Sequence, residues 1–384
     1  MKKSISLILA FIFMFSFLIF DTTAVNEGAV DVKAKSAVLM DQSTGEVLFS
    51  FNENEKLYPA SVTKIMPMLL FMEALDSGKI SLTDTVTTSS NASSKGGSQI
   101  WLKEGETMTV DELMRATAIG SANDAVTALG EFLAGSEEGF VKMMNEKALQ
   151  LGMENTHFDN CSGLDDDTDT HLTTAYDIAL MSRELLKHEK ITDYTTVWMD
   201  SLRGGATELV NTNKLVRFYN GTTGLKTGTT TKAGHCLSAS AKRDGMHLIA
   251  VVMGAENSTD RFESAKAMLN WGFANYETVT PQIDSSLFSP VRVRKGVDEY
   301  VNPVVEEVKP LTLPIGQKDK LETEITLPED IEAPAEDGQI LGKVTLKIDG
   351  ETVGEYSLRC EKPVKRITFW VILLRNLKVL SKSL

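Results

Sequence analysis

Apolar residues run almost unbroken from Ile65 to Met72, directly behind the small and polar segment Tyr58-Pro59-Ala60-Ser61-Val62-Thr63-Lys64. A proline and small residues giving way to such a run predict the start of a buried helix. Pro67 falls inside the run, so either the first turn is short or the helix bends there. Residues 36–41 and 46–50 read as two strands, with Gln42-Ser43-Thr44-Gly45 supplying the turn of a hairpin. Thr109, followed by Asp111 and Glu112, predicts a capped helix start with an acidic first turn. Gly120-Ser121-Ala122-Asn123-Asp124 interrupts that helix, and helical spacing resumes over 125–133 and 140–151. Thr173 and Thr174 open another helix, through Leu186. Residues 236–241 and 246–253 are β-prone and joined by Lys242-Arg243-Asp244-Gly245, a second hairpin. Ser258-Thr259-Asp260 then cap a helix that reaches about Tyr276. Strands at both ends with helices between them predict an α/β (α+β) domain whose antiparallel sheet is assembled from its two ends.

The texture changes from about residue 286. Prolines recur at 303, 310, 314, 328 and 334, and short alternating runs such as Val344-Thr345-Leu346-Lys347-Ile348 predict a small separate β domain over 286–362. In the tail, 363–384, Trp370, Leu373, Leu377, Leu380 and Leu384 fall at spacings of three and four, with Arg375, Lys378 and Lys382 opposite. Arg375 breaks the apolar run, so the segment reads as a basic amphipathic helix lying in a membrane interface rather than spanning it. A helix packed back on the protein is the alternative. At the other end, Met1-Lys2-Lys3, an apolar core over 4–20 and the small residues Thr22-Thr23-Ala24 read as a secretory signal, 1–24, with an uncleaved anchor as the alternative. Either way the chain from residue 25 onward, beginning with the domain over 25–285, is exported.

With 384 residues the chain has room for two domains. Its formal charge of −14 argues against nucleic acid as a partner. The tail opposes that charge: six cations stand against Glu361 alone from residue 361 onward, which suits an anionic surface. Cys161, Cys236 and Cys360 are too few and scattered for a disulfide framework or a zinc site. The five histidines lack metal-ligand spacing. Asp165-Asp166-Asp167-Thr168-Asp169 lacks the glycine and distal glutamate of an EF-hand loop and reads as a solvated loop. No cofactor and no metal is expected.

Ser61 and Lys64, three apart, share a helix face. A serine hydroxyl is a poor nucleophile until a base takes its proton, and a lysine becomes that base if burial or a cationic neighbour strips its charge. Free N–H groups at the helix start can hold an oxyanion. The bland reading of the pair is a serine cap and a solvent lysine. Ser121 and Asn123 offer a hydroxyl and an amide from a break between helices; Ser89-Ser90-Asn91 has the same spelling, in a polar loop. Lys226-Thr227-Gly228, at the start of the second hairpin region, offers a cation, a hydroxyl and a backbone that a ligand can approach, or else an ordinary edge strand.

In this order Ser61-Val-Thr-Lys64, Ser121-Ala-Asn123 and Lys226-Thr-Gly228 match the motif set of penicillin-binding proteins and class A β-lactamases. With Pro59-Ala60 ahead of the first motif, and Gly224-Leu225 and Lys232-Ala233-Gly234 flanking the third, the chain resembles the low-molecular-mass D-alanyl-D-alanine carboxypeptidases from about residue 30 to its end. The resemblance implies a penicillin-binding/β-lactamase-like catalytic domain, a small all-β domain and an amphipathic anchor at the outer face of the cytoplasmic membrane. It implies that Ser61 is acylated, that Lys64 is the general base and that Ser121 relays protons. Asn123 would bind peptide backbone, Lys226 would position Ser121 and, with Thr227, meet the substrate carboxylate. The oxyanion hole would be the N–H groups of Ser61 and Thr229 beside Gly228, with Arg261 near the carboxylate. The substrate would be the peptidoglycan stem pentapeptide, with β-lactam antibiotics as inhibitors. Thr229 stands where some members carry histidine. A secreted serine β-lactamase shares two motifs, but no deacylating glutamate motif is evident, and the β domain and tail do not suit it. A non-catalytic wall-binding or antibiotic-sensing module would not need Ser61, Lys64 and Lys226 intact.

Overall fold

Residues of β1 (Ser36–Asp41) are buried along their whole length. The reason is visible in their partners. A computed structural model describes residues 30–165 and 167–373; residues 1–24, read as a signal, and the tail beyond 373 lie outside the described residues. In it, β1 pairs antiparallel with β2 (Val47–Phe51) on one side and with β7 (Met246–Ala255) on the other. The sheet continues through β6 (Gly234–Arg243) to β5 (Thr222–Thr230), in the order β2-β1-β7-β6-β5. Val38, Met40, Ile249, Val251 and Met253 face one core; Ala37, Leu39, Leu248, Ala250 and Val252 face another. Side chains alternate across a strand, so a strand covered on both faces must be apolar throughout.

One face carries the helical region. It includes α1 (Ile65–Asp76), α2 (Val110–Ala118), α3 (Asn123–Ala134), α4 (Glu137–Gln150) and α5 (Ala175–Leu185). Most of α1 is buried, and each fully buried Leu, Met or Phe side chain contributes about 1.5–3 kcal/mol. Phe71 of α1 stacks on Phe140 of α4 at 5.2 Å between centroids. The other face is covered by α6 (Ser258–Asn275), where a Cβ at Gly272 would lie 2.6 Å from Leu248. The hairpin of β3 (Met199–Leu202) and β4 (Thr207–Val210) stands apart from the sheet.

The expected capped helix start is there: Thr109 accepts from Glu112 N–H, and the Glu112 carboxylate accepts from Thr109 N–H. The helix expected from Ser61 is not continuous. Ala60–Lys64 forms a 3-10 turn, and the α-helix begins only at Ile65. Pro67 then occupies one of the first helical positions, whose N–H groups lack intrahelical partners anyway. The change matters for chemistry, because side chains three apart eclipse in a 3-10 turn. The acid run differs too: Asp165 is buried and accepts from Thr230 Oγ1, while Asp169 pairs with Lys232. These contacts strap the 159–171 loop onto the turn after β5.

The C-terminal residues form small antiparallel sheets, including Ile340–Ile348 paired with Glu351–Cys360. Tyr276–Val279 pairs with Leu311–Pro314. Buried Asp41 of β1 pins that sheet by accepting from Thr278 Oγ1 at 2.6 Å and Thr312 Oγ1 at 2.9 Å. The three cysteines are buried and unpaired. Among the described residues, no helix is long and apolar enough to cross a membrane.

Candidate active site

The 3-10 turn sets Lys64 directly over Ser61. Lys64 Nζ donates to Ser61 Oγ at 2.9 Å, to Asn123 Oδ1 at 2.6 Å and to the Ser162 carbonyl at 2.7 Å. Lys64 is fully buried, and burial depresses it from its ordinary 10.5 to about 7. Desolvation disfavours the charged form, and Asp124 only partly offsets that. At neutral pH a large share of Lys64 is therefore a free amine against a serine hydroxyl. That is the condition for base-assisted nucleophilic attack.

Behind the turn, His171 Nδ1 accepts from Asp159 N–H at 3.0 Å, so its Nε2 carries the proton and donates to Thr63 Oγ1 at 2.9 Å. Burial pushes His171 down to about 4, so it is neutral near pH 7. Asn160 Oδ1 accepts from Ser162 N–H and Gly163 N–H, which shapes the loop that delivers the Ser162 carbonyl. Gly163 is required there: a Cβ would lie 1.9 Å from the Ala60 carbonyl oxygen.

Ser121 sits in the break between α2 and α3 with φ 61°. Its hydroxyl is buried and, among the described residues, has no hydrogen-bond partner. Asn123 opens α3; its Nδ2 donates to the Gly96 carbonyl at 2.7 Å and its N–H to the Ser98 carbonyl at 2.7 Å. The rival Ser89 instead caps a short helix and donates to Glu131.

Strand β5 forms the opposite wall. Lys226 is buried, and its Nζ donates to the Thr227 carbonyl at 3.1 Å. Burial is the main cause that lowers its pKa well below the usual lysine range, with Lys64 and Arg261 adding repulsion. The expected contact from Lys226 to Ser121 is not made. Thr227 Oγ1 donates to Thr212 Oγ1 at 2.6 Å. Gly228 lets the strand press on the turn: a Cβ there would lie 2.7 Å from the Pro59 carbonyl oxygen and 2.9 Å from Ser61 N. Thr229 is exposed, and its hydroxyl donates to the Gly228 carbonyl at 2.8 Å. Arg261 lies beneath the strand and donates through Nη1 to the carbonyls of Gly228 and Cys236 and to Thr229 Oγ1.

The D-alanyl-D-alanine carboxypeptidase family matches residues 22–257, and the C-terminal domain of penicillin-binding protein 5 matches 276–366. The chain belongs to this family. It is 45% identical to D-alanyl-D-alanine carboxypeptidase DacF of Bacillus subtilis, over 90% of this chain and 89% of that protein. It is 36% identical to DacC of Escherichia coli, over 91% and 88% respectively. Its fold matches penicillin-binding protein 5 from Haemophilus influenzae with a TM-score of 0.80 at 31% identity, covering 88% of this chain and 98% of that one. Penicillin-binding protein D2 from Listeria monocytogenes, solved in its ampicillin-bound form, matches with a TM-score of 0.58 at 31% identity, over 63% and 98%. By family the chain is a serine peptidase with a penicillin-binding-protein fold.

Family motifs give Ser61, Lys64, Asn123 and Lys226 from sequence. Ser162, Thr212, Thr63 and His171 carry no such signal. Each acts through a carbonyl, a hydroxyl or a ring whose place depends on loops from distant parts of the chain. Asn160-Cys161-Ser162-Gly163 is the nearest to a legible sign, because an Asn followed three residues on by Gly favours a turn.

Proposed function

We propose that the protein removes the terminal D-alanine from peptidoglycan stem pentapeptides through an acyl-enzyme on Ser61. The observation that carries this reading is the 2.9 Å contact between a buried, charge-depleted Lys64 Nζ and Ser61 Oγ, across which the free amine can take the hydroxyl proton. Ser61 Oγ attacks the carbonyl carbon of the penultimate D-alanine while its proton passes to Lys64. The oxyanion is held by the N–H groups of Ser61 and Thr229, beside the clearance that Gly228 provides. Ser121 passes a proton to the departing amine, and D-alanine leaves. Water then attacks the Ser61 ester by the same route in reverse, releasing the shortened peptide. Lys226, Thr227 and Arg261 form the cationic and hydroxyl side that receives the substrate carboxylate. Asn123, which the resemblance assigns to peptide binding, also holds Lys64 through its carbonyl oxygen. β-Lactams acylate the same hydroxyl and inhibit.

The chemistry lies in residues 25–285, followed by the β domain, 286–362, and an interfacial anchor, 363–384, at the outer face of the cytoplasmic membrane. Exposed Phe369 and Trp370, beside Lys365 and Arg366, support the anchor. Mass spectrometry of the penicillin adduct, with D-alanine release measured alongside, tests the proposal. Ser61→Ala removes both the adduct and the release; labelling that persists in this variant relocates the nucleophile. Deletion of 366–384 gives soluble, active protein, and membrane association of that truncation sinks the anchor reading.

A further inference from the structure

Two loops supply the backbone carbonyls that hold Asn123 and Lys64. On one, Gly96 O accepts from Asn123 Nδ2 and Ser98 O accepts from Asn123 N–H, each at 2.7 Å. On the other, Ser162 O accepts from Lys64 Nζ at 2.7 Å. The first loop presses hard on its target: Gly97 stands at φ 75°, and a Cβ there would lie 2.8 Å from Asn123 Nδ2. Paired glycines give such a segment wide backbone freedom, so its place must be set by contacts on either side.

The residue just before each of these carbonyls leads to one carboxylate. Lys95 precedes Gly96, and Cys161 precedes Ser162. Glu137, in the first turn of α4, meets both. Its Oε2 accepts from Lys95 Nζ at 2.5 Å and from Asn91 Nδ2 at 2.9 Å. Its Oε1 accepts from the Cys161 thiol, with Sγ at 3.5 Å. Cys161 Sγ also lies 3.4 Å from Thr127 Oγ1, and that hydroxyl donates to the Asn123 backbone carbonyl at 2.8 Å. The Glu137 and Lys95 side chains are only 12% and 21% exposed, so water and salt screen them less than an ordinary surface pair. Burial alone would raise the Glu137 carboxyl. Hydrogen bonds from Asn91 and Lys95 outweigh it and hold the group below the usual carboxylate range, so it is an anion at neutral pH. The helix N-terminus favours that charge as well.

We propose that Glu137 is a positioning residue for acylation: by holding Lys95 and Cys161 it fixes the two loops whose carbonyls hold Asn123 and Lys64. It acts at a distance from the reacting atoms, since Lys64 Nζ has its partners in Ser61, Asn123 and Ser162. Misplacing a reacting group by about 1 Å costs on the order of a hundredfold in rate, so small slips of either loop matter. The inference rests on the reading of Ser61 as nucleophile and Lys64 as its base.

Glu137→Gln tests it, because the shape is kept and the charge removed. Three changes then act on Lys64 with one sign: an anion behind Cys161 is lost, the Lys95 ammonium is left unpaired, and the carbonyl acceptors loosen. Each disfavours the charged lysine. Asp124, Cys161, Lys226 and His171, the other titratable groups that reach Lys64, stay as they are. The measurement is the second-order rate of acylation by a chromogenic β-lactam across pH, with thermal melts as the check on folding. Glu137→Gln is expected to lose about tenfold in the plateau rate, and D-alanine release should fall by the same factor. Its pH midpoint should drop by about half a unit to one unit from the wild-type value. Lys95→Met should lose a similar factor, and the double variant should be no more than about twofold slower than Glu137→Gln alone. A plateau rate or a midpoint that stays at the wild-type value in folded Glu137→Gln overturns the inference, and so does a midpoint that rises. Losses that multiply in the double variant overturn it by making the two residues independent. A wild-type rate in Lys95→Met overturns it whatever Glu137→Gln does, folded or not, because the hold on Gly96 runs through that ammonium. Wild-type protein that forms no penicillin adduct at Ser61 overturns the nucleophile reading and this inference with it, whereas an adduct beside unchanged variants overturns the inference alone.

Discussion

Asn123→Asp tests whether Lys64 acts as a free amine. The Asn123 carbonyl oxygen lies 2.6 Å from Lys64 Nζ, and the substitution replaces it with a carboxylate of nearly the same shape. Lys64 now stands at about 7 because burial disfavours its charge. An opposite charge within hydrogen-bonding reach raises such a group by about 1–3 pH units. The unprotonated share at pH 7 then falls from about one half to between about a tenth and a thousandth, and acylation slows by about fivefold to five-hundredfold. The loss is recoverable: the rate climbs back as pH rises toward 9 or 10, because the base is restored by deprotonation. The assay is the second-order rate of acylation by a chromogenic β-lactam from pH 5 to pH 10. Wild-type rates should rise through about pH 7, and those of the variant through a midpoint 1–3 units higher. A loss of the same factor at every pH would refute the reasoning and return Asn123 to the peptide-binding role that the family resemblance implies.

Gly228→Ala should cost at least about a hundredfold in acylation, because the added Cβ meets Pro59 O and Ser61 N at under 3 Å and forces β5 off the turn. Overpacking of this kind also lowers stability by about 1–3 kcal/mol, so the melting temperature should fall; a wild-type rate would show that the strand does not set the site. His171 governs the acid side. It is held at about 4 in the fold and titrates near 6.5 when unfolded, so the unfolded chain gains its proton first as pH falls. Its stabilising contribution is complete above about pH 6.5 and drains between there and pH 4 at up to about 1.4 kcal/mol per pH unit. His247 is depressed in the same way and adds to that slope. Denaturant melts of His171→Gln over pH 4–7 should show a shallower acid slope, and an unchanged slope would mean that His171 is already charged in the fold.

What was legible from sequence is what local chemistry determines. The near-continuous apolar runs at 36–41 and 246–253 marked strands of the sheet, since a strand covered on both faces must be apolar throughout. The capping box at Thr109 is local, and so is the Ser121 break. The 3-10 turn at Ser61 was not legible. It follows from β5 pressing through Gly228 and from the 159–163 loop pressing through Gly163, both far off in sequence. The buried Asp165 was missed for the same reason: an acid run looks solvated until a partner such as Thr230 arrives from another element.

Depressing a lysine requires that its charge stay uncompensated, and the site is built on that rule. Lys64, Lys226 and Arg261 are all buried, and among the described residues none hydrogen-bonds a carboxylate. Arg261 donates its Nη hydrogens to carbonyls and hydroxyls, and burial lowers it to about 10. A carboxylate built into the pocket would hold Lys64 protonated and end its use as a base, as Asn123→Asp is designed to do. A carboxylate that arrives with the ligand is tolerable only if it lands on the Lys226 and Arg261 side of the pocket. On the proposed reading this is a selectivity device: the pocket accepts an anion at the Lys226 and Arg261 end because, among the described residues, no carboxylate hydrogen-bonds either of them there, and Lys64 keeps its free amine because that end is not its own.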